Sequence, residues 1–263
     1  MNKINRDKYT IKHSLKRILI KYKLLPCIKA IYEASAFLLP KNEVLCRKIL
    51  NFYSQFIKKG DLCFDVGAHK GNRAAAFLKL GARVIAVEPQ KSCIKFLQSK
   101  FGKNPNFVLV GKGLAESEGE LTMSICEEAD DISTFSEKWK MGRFSQYEWN
   151  KKELIQVTTL DNLIKEFGLP IFCKIDVEGF EYQVLKGLSL PIKYISFEFT
   201  KEFFDNTKAC IDHLIVLGYA KFNYSIGESM RLSSPDWITA KNLLGELNSI
   251  EDGLLWGDIY AKY

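Results

Sequence analysis

The sequence predicts an α/β fold, with a mostly parallel seven-stranded sheet, helices on both of its faces and a basic helical N-terminal extension. Three observations support this. The 263 residues are 47% hydrophobic and 26% charged, which is typical of a globular chain. From residue 62 onward, short apolar runs alternate with amphipathic helical patterns, as in right-handed βαβ units. A glycine-bearing turn follows the first run. We therefore expect an extension, residues 1–42, and one domain, residues 43–263.

The extension is strongly basic. Residues 1–60 have a formal charge of +11, whereas the rest of the chain has −4. Between Ile11 and Ile31, leucines and isoleucines fall near helical spacing with cations between them, which predicts either a surface-lying amphipathic helix or an accessory helix packed on the domain. We expect contact with something anionic, such as a membrane surface, a phosphorylated glycolipid or a nucleotide-linked substrate. The slightly acidic body argues against a nucleic-acid partner.

The cysteines and the apolar runs indicate a cytoplasmic protein, with the basic extension as its one region suited to peripheral membrane contact. The seven cysteines are odd in number and lack C-x-x-C spacing, which favours reduced thiols. Neither the cysteines nor the three histidines cluster at ligand spacing, so we predict no metal. No run reaches the length of a membrane span, and lysines and arginines interrupt any signal-peptide core.

The elements follow in order after Pro40. A helix with one apolar face is predicted over Glu43–Lys58, and Gly60 ends it. The strands are expected at Leu62–Val66, Arg83–Glu88, Phe107–Val110, Gly119–Ile125, Leu154–Thr159, Ile171–Val177, Lys193–Phe199, Tyr219–Ser225 and Gly253–Ala261. The helices between them are expected at Gly71–Leu80, Lys91–Phe101, from Asp161, at Glu178–Lys186 and at Phe203–Leu217.

Asp65, Gly67, Ala68 and Gly71 stand where the first strand turns into a helix. Glycine there lets the backbone approach a ligand closely, although both glycines could also serve only the turn and its packing. Glu88 ends the second strand, 21 residues after Gly67, at a separation typical of an acid that binds two ribose hydroxyls. Together these residues predict an adenosine-type site.

Charge distinguishes between adenosine cofactors. Asp65 beside the turn would repel a dinucleotide pyrophosphate, and the third glycine of G-x-G-x-x-G is missing. S-adenosylmethionine has no phosphate and carries a sulfonium and an ammonium group, which an acid attracts. We therefore predict S-adenosylmethionine as the cofactor, and consider a nicotinamide oxidoreductase less favoured.

Asp176, Glu178 and Glu181 follow a later parallel strand and should open onto the same crevice. They could also be a helix N-cap and acids that complement the helix dipole. As carboxylates they could accept a proton from a hydroxyl, and so could His69, which could instead be a hydrogen-bonded turn residue.

The aromatic stretch from Phe135 to Trp149 lies in a long irregular segment. It could form the wall of an acceptor site or a buried structural lobe.

The sequence resembles the FkbM-type methyltransferases over roughly residues 60–200. The resemblance is carried by Phe64–Gly71, Val87–Pro89, Thr158–Asp161, Lys174–Glu181 with Val184–Gly187, and Ser196–Phe199. His69 stands where that family has an asparagine-like residue. The resemblance implies a Rossmann-like class I methyltransferase fold and O-methylation of a hydroxyl on a sugar, glycan or related small molecule.

On this basis we expect Gly67 and the neighbouring backbone to hold the methionine end of the cofactor, and Glu88 to hold its ribose. Asp176 should lie near the transferring methyl, and Glu178, Glu181 and His69 are the candidate bases, in that order. The alternative from a different class is a non-catalytic module that binds a nucleoside or a partner.

Overall fold

The computed structural model describes residues 41–142 and 144–263, with side chains from Cys46 onward. The amphipathic helix predicted between Ile11 and Ile31 lies outside these residues, and the proposed boundary between residues 42 and 43 stays a prediction. Within the described part of the chain, no helix is long and apolar enough to cross a membrane.

A seven-stranded sheet forms the centre of the domain. Its strands are β1 (Leu62–Val66), β2 (Arg83–Val87), β3 (Phe107–Val110), β7 (Phe172–Ile175), β8 (Tyr194–Thr200), β9 (Lys221–Ile226) and β10 (Trp256–Lys262). They lie in the order β3-β2-β1-β7-β8-β10-β9. All the neighbours from β3 to β8 pair in parallel, whereas β10 runs antiparallel to both β8 and β9. The mostly parallel seven-stranded sheet predicted from the sequence is confirmed.

Helices cover both faces of this sheet. They are α1 (Lys41–Tyr53), α2 (Asn72–Lys79), α3 (Lys91–Phe101), α4 (Glu137–Met141), α5 (Leu160–Phe167), α6 (Glu181–Lys186), α7 (Phe204–Val216) and α8 (Ala240–Ser249). Alternation along β1 divides the core in two. Phe64 and Val66 pack with α5, α6, α7 and α8, whereas Cys63 packs with aromatic side chains of α1 and α2 on the opposite face.

Three further strands form a small second sheet: β4 (Gly113–Leu114), β5 (Gly119–Ile125) and β6 (Lys151–Thr158), in the order β4-β6-β5. Its buried side chains, among them Met123, Ile125 and Ile155, form a separate small core. The connection from β5 to β6 carries a 3₁₀ turn at Asp130–Ile132 and the short helix α4. This connection lies beside the carboxyl ends of the parallel strands, where it contacts the turn after β7.

Several boundaries differ from the sequence-based expectation. The helix predicted from Glu178 begins at Glu181 because Glu178 and Gly179 have φ values of 56° and 87°, which no right-handed helix accommodates. Helix α1 ends at Tyr53 instead of Lys58. Helices α4 and α8 and strand β4 were not predicted.

Candidate active site

A cleft of about 250 Å³ opens at the carboxyl ends of β1, β2 and β7. This is where an open α/β sheet is expected to bind its ligands. The cleft is lined by the turns after these strands, by the first turn of α2, by part of the β5–β6 connection and by Glu228, which follows β9. Single positions on β1, β2, β4 and β5 and one after β3 also contribute. The lining residues are Asp65, Gly67, Ala68, His69, Lys70, Asn72, Arg73, Val87, Glu88, Pro89, Gln90, Lys112, Gly113, Met123, Asp131, Ser133, Phe135, Asp176, Val177, Glu178 and Glu228.

Gly67 allows the turns after β1 and β7 to meet. Its φ is +79°, and a Cβ atom added there would lie 1.8 Å from the carbonyl oxygen of Asp176. The backbone N–H of Gly67 also donates to the carbonyl of Val87, at 2.9 Å, so that all three strand ends are joined at this point. Glycine is therefore required at position 67 by space as well as by conformation.

Glu88 is presented to the cleft by backbone hydrogen bonds. The N–H groups of His69 and Gln90 donate to its two carboxylate oxygens at 2.7 and 2.8 Å. The side chain is only 2% exposed, and burial raises its pKa to about 7 despite these two donors. The oxygens keep lone pairs that can accept from two hydroxyls, as the ribose assignment requires.

Asp65 is a buried acid with an unpartnered oxygen. It is 2% exposed and lines the cleft, and its Oδ2 has no hydrogen-bond partner. Burial raises its pKa to about 6, against the opposing effect of the Arg73 and Lys174 cations. An unpartnered carboxylate oxygen in the interior is costly and is best satisfied by a cationic donor, such as the ammonium group of S-adenosylmethionine.

The charges along the cleft favour a cationic ligand. Six carboxylate side chains line it against the three cations Lys70, Arg73 and Lys112. Such a lining attracts a sulfonium and disfavours a pyrophosphate. This arrangement fits the cofactor predicted from the sequence better than it fits a dinucleotide.

Asp176 is held by a buried lysine. Lys174 is fully buried on β7, and its Nζ lies 3.1 Å from Asp176 Oδ2 and 2.8 Å from Asp258 Oδ1. Although burial alone would lower the pKa of Lys174, the two carboxylates raise it well above its usual value. Lys174 is thus a cation that fixes one oxygen of Asp176, whose side chain is still 34% exposed toward the cleft.

Glu178 occupies the turn between β7 and α6 in a left-handed conformation, with φ 56°. Its carbonyl accepts from the hydroxyl of Thr134 at 2.7 Å, which ties this turn to the β5–β6 connection. Burial, with Glu198 and Asp176 nearby, raises its pKa well above the usual value. Glu178 is therefore a cleft carboxyl group that holds its proton more tightly than an ordinary glutamate.

Glu181 and Gly71, both expected at the site, do not line the cleft. Glu181 is 2% exposed, and its Oε1 accepts from the backbone N–H groups of Val177 and Gly179 at 3.2 and 3.1 Å. A Cβ atom added to Gly71 would lie 2.6 and 2.7 Å from side-chain atoms of Phe101 and Leu97. Glu181 thus supports the turn that carries Glu178, and Gly71 serves the packing of α2 on α3.

His69 is held beside Glu88 and Asp130. Its φ is 47°. Its backbone N–H donates a hydrogen bond to the carboxylate of Glu88, and its Nε2 lies 3.2 Å from Asp130 Oδ1. The structure brings His69, Asp65, Gly67, Ala68, Glu88, Asp176 and Glu178 together around one cleft. Among these residues, His69 is joined directly to Glu88 by a hydrogen bond.

The aromatic segment divides into two parts. Phe135 lines the cleft. Trp139 is 3% exposed and packs on Phe144 and Phe203, and Trp149 donates to the carbonyl of Phe144. Of the two interpretations of this segment, Trp139 fits the buried structural lobe and not the acceptor wall, because its ring is buried.

Two groups of described side chains bring possible metal-ligating atoms within 4.8 Å of one another. One group is Asp176, Glu178 and Glu198, and the other is His69, Cys93 and Asp130. Acidic clefts often contain such groups without an ion, and we assign a cation to neither.

Sequence reasoning missed Arg73, Glu198, Glu228 and Asp258. A signal existed for the Lys174–Asp258 pair, since a lysine inside the apolar strand β7 requires a buried anionic partner. Arg73 stands in the first helical turn after the glycine motif, where its position alone indicated proximity to the ligand. Glu198 lies within Ser196–Phe199, one of the segments that carry the family resemblance, so a signal existed for it as well. Glu228 gave no local signal, because its approach depends on the packing of distant segments.

The fold and the cleft together define a class: an open α/β enzyme that binds a cationic adenosine cofactor at the ends of its parallel strands. The family model described as the methyltransferase FkbM domain matches residues 65–225. The chain therefore belongs to the FkbM methyltransferase family, and S-adenosylmethionine is its methyl donor.

Solved structures with a similar course of the chain are distant in sequence. A precorrin-6y C5,15-methyltransferase from Geobacter metallireducens is 12% identical with a TM-score of 0.44, the match covering 85% of this chain and 89% of the other. The Streptococcus mutans protein SMU.1697c, in complex with SAH, is 11% identical with a TM-score of 0.42, covering 81% and 95%. A SAM-dependent O-methyltransferase from Thermotoga maritima is 12% identical with a TM-score of 0.40, covering 86% and 65%. No curated protein sequence matches the chain.

Proposed function

We propose that this methyltransferase transfers the methyl group to a hydroxyl oxygen of a sugar, glycan or related small-molecule acceptor. The observation that carries the proposal is the position of Glu178, a proton-accepting group in the same cleft as Asp65 and Glu88. A hydroxyl is a poor nucleophile until its proton is removed, so a base beside the reacting oxygen is of direct use.

The rim of the cleft supports a polyhydroxylated acceptor. Phe135 offers an aromatic ring, and the exposed side chains of Lys112 and Asp131 line the same cleft with charged groups. A ring face with convergent polar groups is a common arrangement for binding a sugar. The acceptor would then lie between this rim and the turn that carries Asp176 and Glu178.

In the proposed reaction, the cofactor supplies an electrophilic methyl group on a sulfonium. Glu88 and Asp65 would hold the cofactor, and Glu178 would accept the proton of the acceptor hydroxyl. Asp176, fixed by Lys174, lies next to Glu178 and helps to align the acceptor. Much of the acceleration should come from alignment in a cleft that excludes bulk water.

The test is a transfer assay with isotopically labelled S-adenosylmethionine and a panel of free sugars, nucleotide sugars and cell-envelope glycans. The product should contain a methoxy group, identified by mass spectrometry and NMR. Methyl transfer exclusively to nitrogen or carbon, or no transfer together with cofactor binding, would contradict the proposal. The latter result would favour a non-catalytic binding module.

Glu178→Gln should lower kcat by at least about 100-fold, because general base catalysis typically contributes that much. The affinity for S-adenosylmethionine, measured by calorimetry, should stay within about twofold. Glu251→Gln, at an exposed position, is the matched control and should change neither. Near-normal turnover of Glu178→Gln would remove Glu178 from the mechanism and leave His69 as the next candidate.

For the basic extension, we propose contact with an anionic membrane or an anionic substrate. Full-length protein should sediment with vesicles that contain an anionic phospholipid, and replacing Lys12, Lys16, Arg17 and Lys21 by glutamine should abolish this. Undiminished sedimentation of the variant would contradict the membrane contact.

A further inference from the structure

Arg73 is the most buried of the three cationic side chains that line the cleft. Its side chain is 14% exposed, against 39% for Lys70, which pairs with Asp130. Lys112 is exposed. Arg73 belongs to the first turn of α2, directly after the glycine-bearing turn that follows β1. A cation is thus built into the wall of a cleft whose lining is otherwise mainly acidic.

Only one nitrogen of the Arg73 guanidinium donates hydrogen bonds to Glu228. Both carboxylate oxygens of Glu228 lie 2.8 Å from Nη2, whereas Nε is buried and has no hydrogen-bond partner. Arginine binds a carboxylate best when two of its N–H groups each donate to a separate oxygen. A carboxylate placed across Nε and Nη2 would therefore satisfy Arg73 better than Glu228 does.

Glu228 is well suited to give way to such a carboxylate. Its side chain is 53% exposed, so its charge can return to water at little cost. It also lines the cleft beside Arg73 and Asn72, within the space that a ligand would enter.

S-adenosylmethionine carries one carboxylate, at its methionine end, and the six acids of the cleft would repel it. We propose that Arg73 binds this carboxylate through Nε and Nη2 and that the cofactor takes the place of Glu228 on the guanidinium. This inference rests on the methyl donor and is independent of the proposed hydroxyl acceptor. It adds a recognition residue, and an exchange of anionic partners, to the cofactor site.

The test compares S-adenosylmethionine with its decarboxylated analogue, which keeps the adenosine, the sulfonium and the amine. Calorimetric titration of the full chain should show that Arg73→Met weakens binding of S-adenosylmethionine by about tenfold or more, as expected for hydrogen bonds to a charged group. Binding of the decarboxylated analogue should change by less than about twofold. Arg83→Met, at an exposed arginine on β2, is the matched control and should affect neither ligand.

Equal weakening of both ligands would show that Arg73 only maintains the structure, and no weakening would show that it does not meet the carboxylate. Either result overturns the proposal. Glu228→Gln should raise the affinity for S-adenosylmethionine severalfold relative to that for the analogue, because the competing anion is gone. An unchanged or lowered ratio of the two affinities would overturn the exchange. None of these readouts uses an acceptor, so failure of the hydroxyl assignment would be seen separately, in the transfer assay.

Discussion

At the scale of single residues, Lys174 links the buried interior to the cleft. It is fully buried and holds Asp258 on β10 and Asp176 after β7 with one ammonium group. Removing one member of a buried ionic group leaves the others uncompensated, which costs more than the net contribution of the pair itself. The position of Asp176 therefore depends on a residue that has no access to the ligand.

Lys174→Met should lower the free energy of unfolding by about 3–5 kcal/mol, since two carboxylates lose their common cation. Urea denaturation of the unliganded protein measures this. Lys193→Met, at an exposed position one residue before β8, should change the free energy by less than about 0.5 kcal/mol. A loss below about 1 kcal/mol for Lys174→Met would show that the buried ion pairs are not a major source of stability.

The raised pKa of Glu178 predicts how turnover should depend on pH. A base must be deprotonated to act, and burial together with Glu198 and Asp176 raises the pKa of Glu178 well above that of an ordinary glutamate. At saturating substrates, kcat should therefore fall as the pH is lowered, and the midpoint should lie well above the usual glutamate value of about 4.3.

The pH profiles of two variants identify the group responsible. The acidic limb should vanish in Glu178→Gln and persist in His69→Gln. Loss of the limb in His69→Gln alone would transfer the role of base to the imidazole. A limb centred near pH 4 in the unaltered protein would argue against a raised pKa of a catalytic carboxyl group.

At the scale of elements, the approach of β1 to β7 depends on Gly67. Gly67→Ala adds a methyl group 1.8 Å from the carbonyl oxygen of Asp176, in addition to a strained φ of +79°. Gly60→Ala has a similar φ, +89°, but no neighbouring atom within 4 Å of its Cβ. The two variants thus separate conformational strain from steric overlap.

We expect Gly60→Ala to lower the free energy of unfolding by about 1–3 kcal/mol, the cost of a strained backbone conformation. Gly67→Ala should lose about 1–3 kcal/mol more, because overlap is added, and should weaken binding of S-adenosylmethionine. Denaturation and calorimetry measure the two effects. If Gly67→Ala were no less stable than Gly60→Ala and bound the cofactor normally, the close contact would have no importance.

The sequence predicted the elements with strong periodicity and missed those set by distant contacts. Strand β1 and helix α3 were placed correctly, because apolar runs and helical spacing are local signals. Helix α6 was predicted to begin at Glu178 but begins at Glu181. Glu178 has a φ of 56°, and its carbonyl accepts a hydrogen bond from Thr134, which is 44 residues away in the chain. The burial of Trp139 could not be predicted either, because Phe203 and Gly179, against which it packs, are also distant in the chain.

Much of the cleft was predictable for a topological reason. The carboxyl ends of neighbouring parallel strands meet at one edge, so Asp65, Glu88, Asp176 and Glu178 could be brought together from their order along the chain. The separation of Gly71 and Glu181 from the cleft could not be predicted, since it depends on side-chain packing against α3 and on hydrogen bonds within the β7–α6 turn.

At the scale of the whole molecule, buried carboxyl groups should make stability depend on pH. Glu88 and Glu181 have pKa values raised to about 7 by burial, so the folded protein keeps protons that the unfolded chain releases near pH 4.5. Their contribution to stability is therefore present at pH 4.5 and is lost as the pH rises to about 7.

Glu88→Gln should reduce this pH-dependent loss by about 3 kcal/mol, because one of the shifted groups is removed. Urea denaturation at pH 4.5 and pH 8, without cofactor, measures the difference for each protein. Glu251→Gln should show the same difference as the unaltered chain. An unchanged pH dependence in Glu88→Gln would show that this carboxyl group is ionised equally easily in both states.

The contact between Gly67 and Asp176 also bears on how the enzyme exchanges its substrates. Because backbone lies against backbone there, we expect the turns after β1 and β7 to stay together while the enzyme exchanges its substrates. Donor and product should then pass Phe135 or Glu228, which line the same cleft. A crosslink across the cleft at Phe135 or at Glu228 should slow turnover, whereas a crosslink between the turns after β1 and β7 should not.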